Sequence, residues 1–120
     1  MSEIRATTIS DLAGTGPATL TGQYAAKAWI HYDQSPSTVI GDSFNVSSIT
    51  DAGTGNQIVA YTSVFSNARY AGAATSRGVG NVAWQDPPLA GSVNVQTVGT
   101  SVGTQFDYDH VCVTWHGDLA

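Results

Sequence analysis

The sequence predicts an all-β fold, an antiparallel sandwich or barrel, and of these we expect a β-sandwich of jelly-roll-like form. Short runs rich in β-branched and aromatic residues recur every ~8 to 15 residues between glycine- and proline-rich turns. Apolar and polar residues alternate within several of these runs, and no window shows a sustained apolar stripe of helical period. The 120 residues suit one domain, with an extended amino-terminal arm expected at 1–23 and the β-sandwich domain at 24–120.

The centre of the predicted domain is a hairpin within the stretch 43–61. Its arms, 44–50 and 57–62, are rich in strand-forming residues and are separated by Asp-Ala-Gly-Thr-Gly-Asn, whose glycines allow a positive φ. In the second arm Val59 lies on one face and Ile58 on the other, so both faces carry apolar weight. We therefore expect this strand to be covered on both sides.

Further strands flank the hairpin. The run 25–32 places Ala28, Ile30 and Tyr32 on one face, and the run 92–98 alternates cleanly. Other strands are expected at 38–40, 70–75 and 106–115, with a short one inside the loop 76–91.

Two local features of packing follow from these strands. Cys112 lies in an apolar alternating run, so we expect it to be a small buried hydrophobic residue, and as the only cysteine it has no partner for an internal disulfide. The small residues of 70–75 allow another backbone to approach closely.

Composition bounds the partners. Four basic residues stand against nine acidic ones, with no basic cluster, so nucleic acid is not an expected partner. Charged residues make up 11%, whereas soluble proteins average about 25%. Because charge is depleted in the cores of protein interfaces, this favours an oligomer. The start of the sequence lacks the apolar core of a signal peptide, and no apolar run approaches membrane-spanning length, so we expect cytoplasmic synthesis and no membrane insertion.

No catalytic motif stands out. His31 and Asp33 lie at a strand end and have the chemistry of a base and its orienting group, but no nucleophile motif accompanies them. The phosphate-binding and zinc-protease motifs are absent, and the only glutamate is Glu3. We therefore expect no enzyme activity, no catalytic residue and no cofactor.

Acidic and imidazole groups gather near the end of the chain. Asp107 and Asp109 share a strand parity and offer hard oxygen ligands for calcium, but the plainer interpretation is two solvated acids at a strand entrance. His110 and His116 lie six residues apart, so a zinc ion shared between them needs ligands from elsewhere. No metal residue is assigned from the sequence.

The candidate receptor or glycan contact is Trp84 with Gln85 and Asp86. An indole stacks on a sugar ring, while an amide and a carboxylate bind its hydroxyl groups. The alternative is a tryptophan that fills a loop or a subunit interface.

Five segments along nearly the whole chain read TTISDLAGTGPATLTGQ, AAKAWIHYDQ, SFNVSSITDAGTGNQIVAY, SNARY and DHVCVTWHGDLA. These segments resemble the short tail-fibre proteins and fibre carboxyl-terminal domains of tailed bacteriophages, notably those that infect marine bacteria. The chain departs from the pattern at His31 and Tyr32, where Asn-Phe is frequent, and at Gln57 and Ile58, where Tyr-Thr is common.

The resemblance implies a virion protein, made in the host cytoplasm, that forms a homotrimer in a tail fibre or another surface appendage. Its implied partners are its own copies, other virion proteins bound through the arm 1–23, and a host surface receptor or glycan. The resemblance supplies no catalytic or binding residues. Three alternatives stay open: a capsid or neck head fibre or decoration spike, a glycan-binding or glycan-degrading protein, and a cellular adhesion module.

Overall fold

The chain was analysed as a computed structural model, which describes residues 25–78, 81–101 and 103–120. The predicted arm 1–23 lies outside these residues. The described residues form eight strands and no helix, so none of them belongs to an apolar helix that could cross a membrane. The strands are β1 (Ala28–Asp33), β2 (Val39–Phe44), β3 (Val46–Gly53), β4 (Asn56–Tyr61), β5 (Ala71–Ser76), β6 (Asn81–Trp84), β7 (Ser92–Val98) and β8 (Val111–His116).

The strands form two four-stranded antiparallel sheets that pack together. One sheet has the order β2-β1-β8-β5 and the other has the order β3-β4-β7-β6. Three pairs of consecutive strands are hydrogen-bonded neighbours, namely β1 with β2, β3 with β4, and β6 with β7. The all-β prediction and the packing of two antiparallel sheets are confirmed.

The core lies between the sheets and follows the alternation predicted from the sequence. In β7 the residues Val93, Val95 and Thr97 are buried, and their neighbours in the strand are only partly covered. A fully buried aliphatic or aromatic side chain contributes about 1.5–3 kcal/mol relative to an exposed one. The buried apolar residues are Ala28, Ile30, Tyr32, Val59, Tyr61, Phe65, Val93, Val95, Val111, Val113 and Trp115.

The central hairpin is present, with β3 and β4 paired so that Ile49 lies opposite Val59. The second arm was expected to be covered on both faces, but within the single chain only one face is buried. Val59 is fully buried, whereas Ile58 is 39% exposed. The first arm also begins later than predicted, because Phe44 ends β2 in the other sheet.

A single residue, Asn45, carries the chain from β2 in one sheet to β3 in the other. Its φ is 57°, a conformation that asparagine tolerates better than most residues. Its side chain spans the corner: Oδ1 accepts a hydrogen bond from Ser63 N at 2.6 Å, and Nδ2 donates to the carbonyl oxygens of Lys27 at 2.9 Å and Ser63 at 3.0 Å. The corner is therefore fixed by side-chain as well as backbone geometry.

The prediction that Cys112 is buried is wrong. Cys112 is exposed, because the inward positions of β8 are Val111, Val113 and Trp115 and the intervening residues point outward. In an alternating strand the face decides burial, and the apolar character of a cysteine does not override it.

The small residues of β5 do allow a close neighbour, but at Gly72 the neighbours are side chains and not another backbone. A Cβ atom added at Gly72 would lie 2.5 Å from the Trp84 ring and 2.9 Å from the Trp115 ring. Glycine at this position leaves room for both tryptophans.

Candidate functional site

Trp84 ends the short strand β6 and is half-buried. Its ring lies nearly parallel to that of the buried Trp115, with centroids 6.2 Å apart and an interplanar angle of 26°. Because Trp84 packs against the core cluster, only part of its surface is open to a ligand. The geometry matches the filling role that the sequence left open for Trp84 as an alternative.

Gln85 and Asp86 follow Trp84 and are both exposed. The neighbouring strand β7 holds them in place, since Asn94 Nδ2 donates to Gln85 Oε1 at 3.4 Å and to Asp86 Oδ2 at 3.3 Å. The backbone adds a hydrogen bond from Gln85 N to Asn94 O at 3.1 Å. Asn94 therefore positions both Gln85 and Asp86, although the sequence did not single it out.

A shallow depression of about 170 Å³ opens beside Asp86, on the exposed face of the β3-β4-β7-β6 sheet. Ile58 and Leu89 give it an apolar surface, and they are 39% and 64% exposed. Asn94 Oδ1 is covered and accepts no hydrogen bond from the residues that the structure describes. An apolar floor beside an exposed carboxylate suits a small polyhydroxylated ligand.

The acidic pair near the end of the chain is divided between two partners. Asp107 Oδ1 accepts a hydrogen bond from Gly55 N at 2.7 Å. Asp109 lies 4.0 Å from the Arg77 guanidinium, and both side chains are more than half exposed. The two carboxylates therefore have different partners at the entrance to β8.

The topology brings together three residues that the sequence offered only as separate hints. His31 and Asp33 lie in β1, which pairs with β8, and His110 immediately precedes β8. His31 Nε2 and His110 Nδ1 lie 2.9 Å apart, and His110 N donates to Asp33 Oδ1 at 2.7 Å. His116 lies at the far end of β8, about 20 Å along the strand, so the two C-terminal histidines do not share a site.

A buried polar network at the same end of the sandwich escaped the sequence analysis. Tyr108 N donates to Gln34 Oε1 at 2.9 Å, Gln34 Nε2 donates to Gln57 Oε1, and Gln57 Nε2 donates to Thr38 Oγ1 at 3.2 Å. Gln34 and Gln57 are 3% and 1% exposed. Buried amides that are satisfied in this way fix the relative positions of segments, and this network joins both sheets.

The fold and these surfaces define a β-sandwich with an exposed polar and apolar depression on one sheet and a histidine-aspartate cluster on the other. Comparisons of the chain with protein-family models, with curated proteins and with solved structures find no match.

Proposed function

We propose that the chain is a non-enzymatic structural and attachment module of a bacteriophage virion. In this proposal three copies assemble a tail fibre or fibre tip from jelly-roll-like sandwiches, and the assembled tip contacts a receptor or glycan on the host surface. The resemblance of the segments quoted above to phage fibre proteins motivates the proposal.

The observation that carries the proposal is the amount of apolar surface left open on a chain that is poor in charge. Six large hydrophobic residues among those described are between 39% and 64% exposed. Phe44, at 47%, lines a depression of about 370 Å³ together with Leu119 at the Asn45 corner. We take a second copy of the chain as the occupant of this depression, since charge-depleted apolar surfaces are typical of homo-oligomer interfaces.

Light scattering of the purified chain at micromolar concentration tests the assembly. We expect a mass three times that of the 12.4 kDa monomer. Phe44→Asp should shift the mass toward the monomer, because it places a charge in the proposed interface. Leu89→Asp is the control, an apolar residue that is 64% exposed at the depression beside Asp86, and it should leave the mass unchanged. A wild-type monomer would contradict the proposal.

The depression beside Asp86 is the proposed glycan contact. Asp86→Asn and Asn94→Ala should each weaken binding of the assembled protein to host-surface polysaccharide, whereas Phe44→Asp should weaken it only through loss of avidity. Binding that is unchanged by both substitutions would place the receptor contact elsewhere.

Antibody labelling of purified particles tests the location. Label on the tail supports the fibre, and label on the capsid or neck supports the head-fibre or decoration alternative. Particles that carry no label would contradict a virion role.

A further inference from the structure

We propose that His31, Asp33 and His110 bind one zinc ion, which ties the end of β1 to the segment that enters β8. The proposal goes beyond the attachment function and does not depend on it.

The three side chains are close enough to share an ion. One ligand atom from each lies within 4.8 Å of the others. His31 Nε2 is 2.9 Å from His110 Nδ1, which is 3.6 Å from Asp33 Oδ1. Tetrahedral zinc with bonds of about 2.0–2.2 Å holds its ligand atoms about 3.3–3.6 Å apart. Asp33 Oδ1 and His110 Nδ1 already have this spacing, and the two imidazole nitrogens need to separate by about 0.4 Å. The third pair, His31 and Asp33, has its ligand atoms within 4.8 Å of each other.

The two imidazole rings meet through their nitrogen edges. Their planes are 9° apart and their centroids are 5.2 Å apart, while the facing nitrogens are only 2.9 Å apart. Without an ion, this contact requires one nitrogen to donate a proton and the other to accept it. A metal ion takes the place of that shared proton, and both nitrogens then direct their lone pairs at the ion. The His110 side chain is 53% exposed, so the site is open to solvent on one side.

The backbone holds His110 in position before any ion binds. Its φ is 52°, which is uncommon for a residue other than glycine. Its N–H donates to Asp33 Oδ1 at 2.7 Å, and its carbonyl oxygen accepts from Arg77 N at 3.1 Å. On β2, Gly41 leaves room for the other ring, since a Cβ atom there would lie 2.6 Å from His31 Nδ1. Such prior positioning lowers the cost of assembling a site.

The donor set narrows the choice of metal. Two imidazoles and one carboxylate suit zinc and other first-row divalent ions, whereas calcium and magnesium prefer sites made wholly of oxygen. Three protein ligands leave a fourth position for water on the exposed side. Bound zinc would link His110 to His31, which lies 79 positions earlier in the chain, and to Asp33, which lies 77 positions earlier.

Zinc titration of the metal-stripped, full-length protein in competition with a chromogenic chelator at neutral pH tests the proposal. We expect one zinc per chain with micromolar or tighter affinity, and a higher melting temperature in excess zinc because the ion binds only the folded state. His31→Ala, His110→Ala and Asp33→Asn should each weaken binding at least ~10-fold. His116→Gln is the matched control, a histidine at the opposite end of β8, and should bind zinc like the wild type.

Two measurements on the wild-type protein test the site even if a variant folds poorly. Cobalt bound to the wild-type protein should give the intense visible bands of a tetrahedral site, and these bands should be absent in His110→Ala. The side-chain nitrogen resonances of two histidines should shift in the wild type when zinc is added. Binding that survives the His31 and His110 substitutions, or that needs millimolar zinc, would overturn the proposal.

Discussion

Asn45 and Ser63 form a two-point contact in which both polar atoms of one side chain bond the backbone of the other residue. Asn45 Oδ1 accepts from Ser63 N at 2.6 Å, and Asn45 Nδ2 donates to Ser63 O at 3.0 Å. The same amide also reaches Lys27 O at 2.9 Å. Three segments therefore meet at the residue where the chain changes sheets.

We expect Asn45→Ala to destabilise the domain by about 2–4 kcal/mol, because it removes three hydrogen bonds and leaves a Cβ-bearing residue at a positive φ without compensation. Asn45→Gly separates the two effects. It removes the same bonds but accepts the backbone conformation, so its cost should be about 1 kcal/mol smaller. Urea unfolding measures both variants. Equal stability of the alanine variant and the wild type would mean that the corner does not depend on this side chain.

Gly72→Ala should be destabilising even though alanine is ordinarily tolerated in a strand. The added Cβ would lie 2.5 Å from the Trp84 ring, and such overpacking typically costs about 1–3 kcal/mol. Gly91→Ala is the matched control, since its nearest neighbour would be 3.5 Å away, an ordinary contact. The melting temperature should fall for the first variant and stay nearly constant for the second.

A double variant tests whether Trp84 is the cause. If the clash is with the Trp84 ring, Gly72→Ala should cost less in a Trp84→Leu background than in the wild type. Equal costs in both backgrounds would assign the effect to Trp115 or to the strand itself.

Tyr32→Phe should leave the free energy of unfolding unchanged or raise it by up to about 1 kcal/mol. The Tyr32 side chain is fully buried, and its hydroxyl has no hydrogen-bond partner among the described residues. Tyr61→Phe is the contrasting variant, because the Tyr61 hydroxyl donates to Tyr70 Oη at 3.3 Å. It should lower the stability by about 0.5–1.5 kcal/mol. Chemical denaturation measures both variants. A Tyr32→Phe variant that is more stable than Tyr61→Phe would support the difference in hydrogen bonding between the two hydroxyls, and the reverse order would contradict it.

Stability should fall in alkaline solution. Burial raises the pKa of the Tyr32 and Tyr61 hydroxyls above their ordinary value. The neutral hydroxyl is therefore favoured in the folded chain, and the stability it confers is complete below the unfolded pKa of about 10. Above that pH the unfolded tyrosines ionise first, so the free energy of unfolding declines as pH rises.

Denaturant midpoints measured from about pH 8 to 11 check this dependence. A variant carrying both Tyr32→Phe and Tyr61→Phe should show a shallower alkaline decline than the wild type. Identical profiles would indicate that other groups cause the decline.

Local periodicity accounts for the part of the structure that could be predicted. The inward face of β7 follows directly from the alternation of Val93, Val95 and Thr97, and the turn of the central hairpin follows from its glycines. Residue type predicts that Cys112 is buried, although the parity of β8 places it on the face opposite Val111 and Val113. The alternation was the better guide in each of these strands.

The candidate sites depended on pairings that no local pattern records. His31 and His110 are 79 positions apart, and only the antiparallel pairing of β1 with β8 brings them together. The sequence offers Trp84 both as a candidate ligand contact and as a residue that fills a loop or an interface. No local pattern records that its ring lies over Gly72 and beside Trp115.

The outward orientation of Cys112 has a practical consequence. Cys112 is the only cysteine in the sequence and its thiol is exposed, so one fluorophore or spin label can be attached at a defined point without any mutation. A label there reports on the outer surface of the β2-β1-β8-β5 sheet, so its rate of reaction with a maleimide, compared before and after assembly, reveals whether neighbouring copies shield that surface.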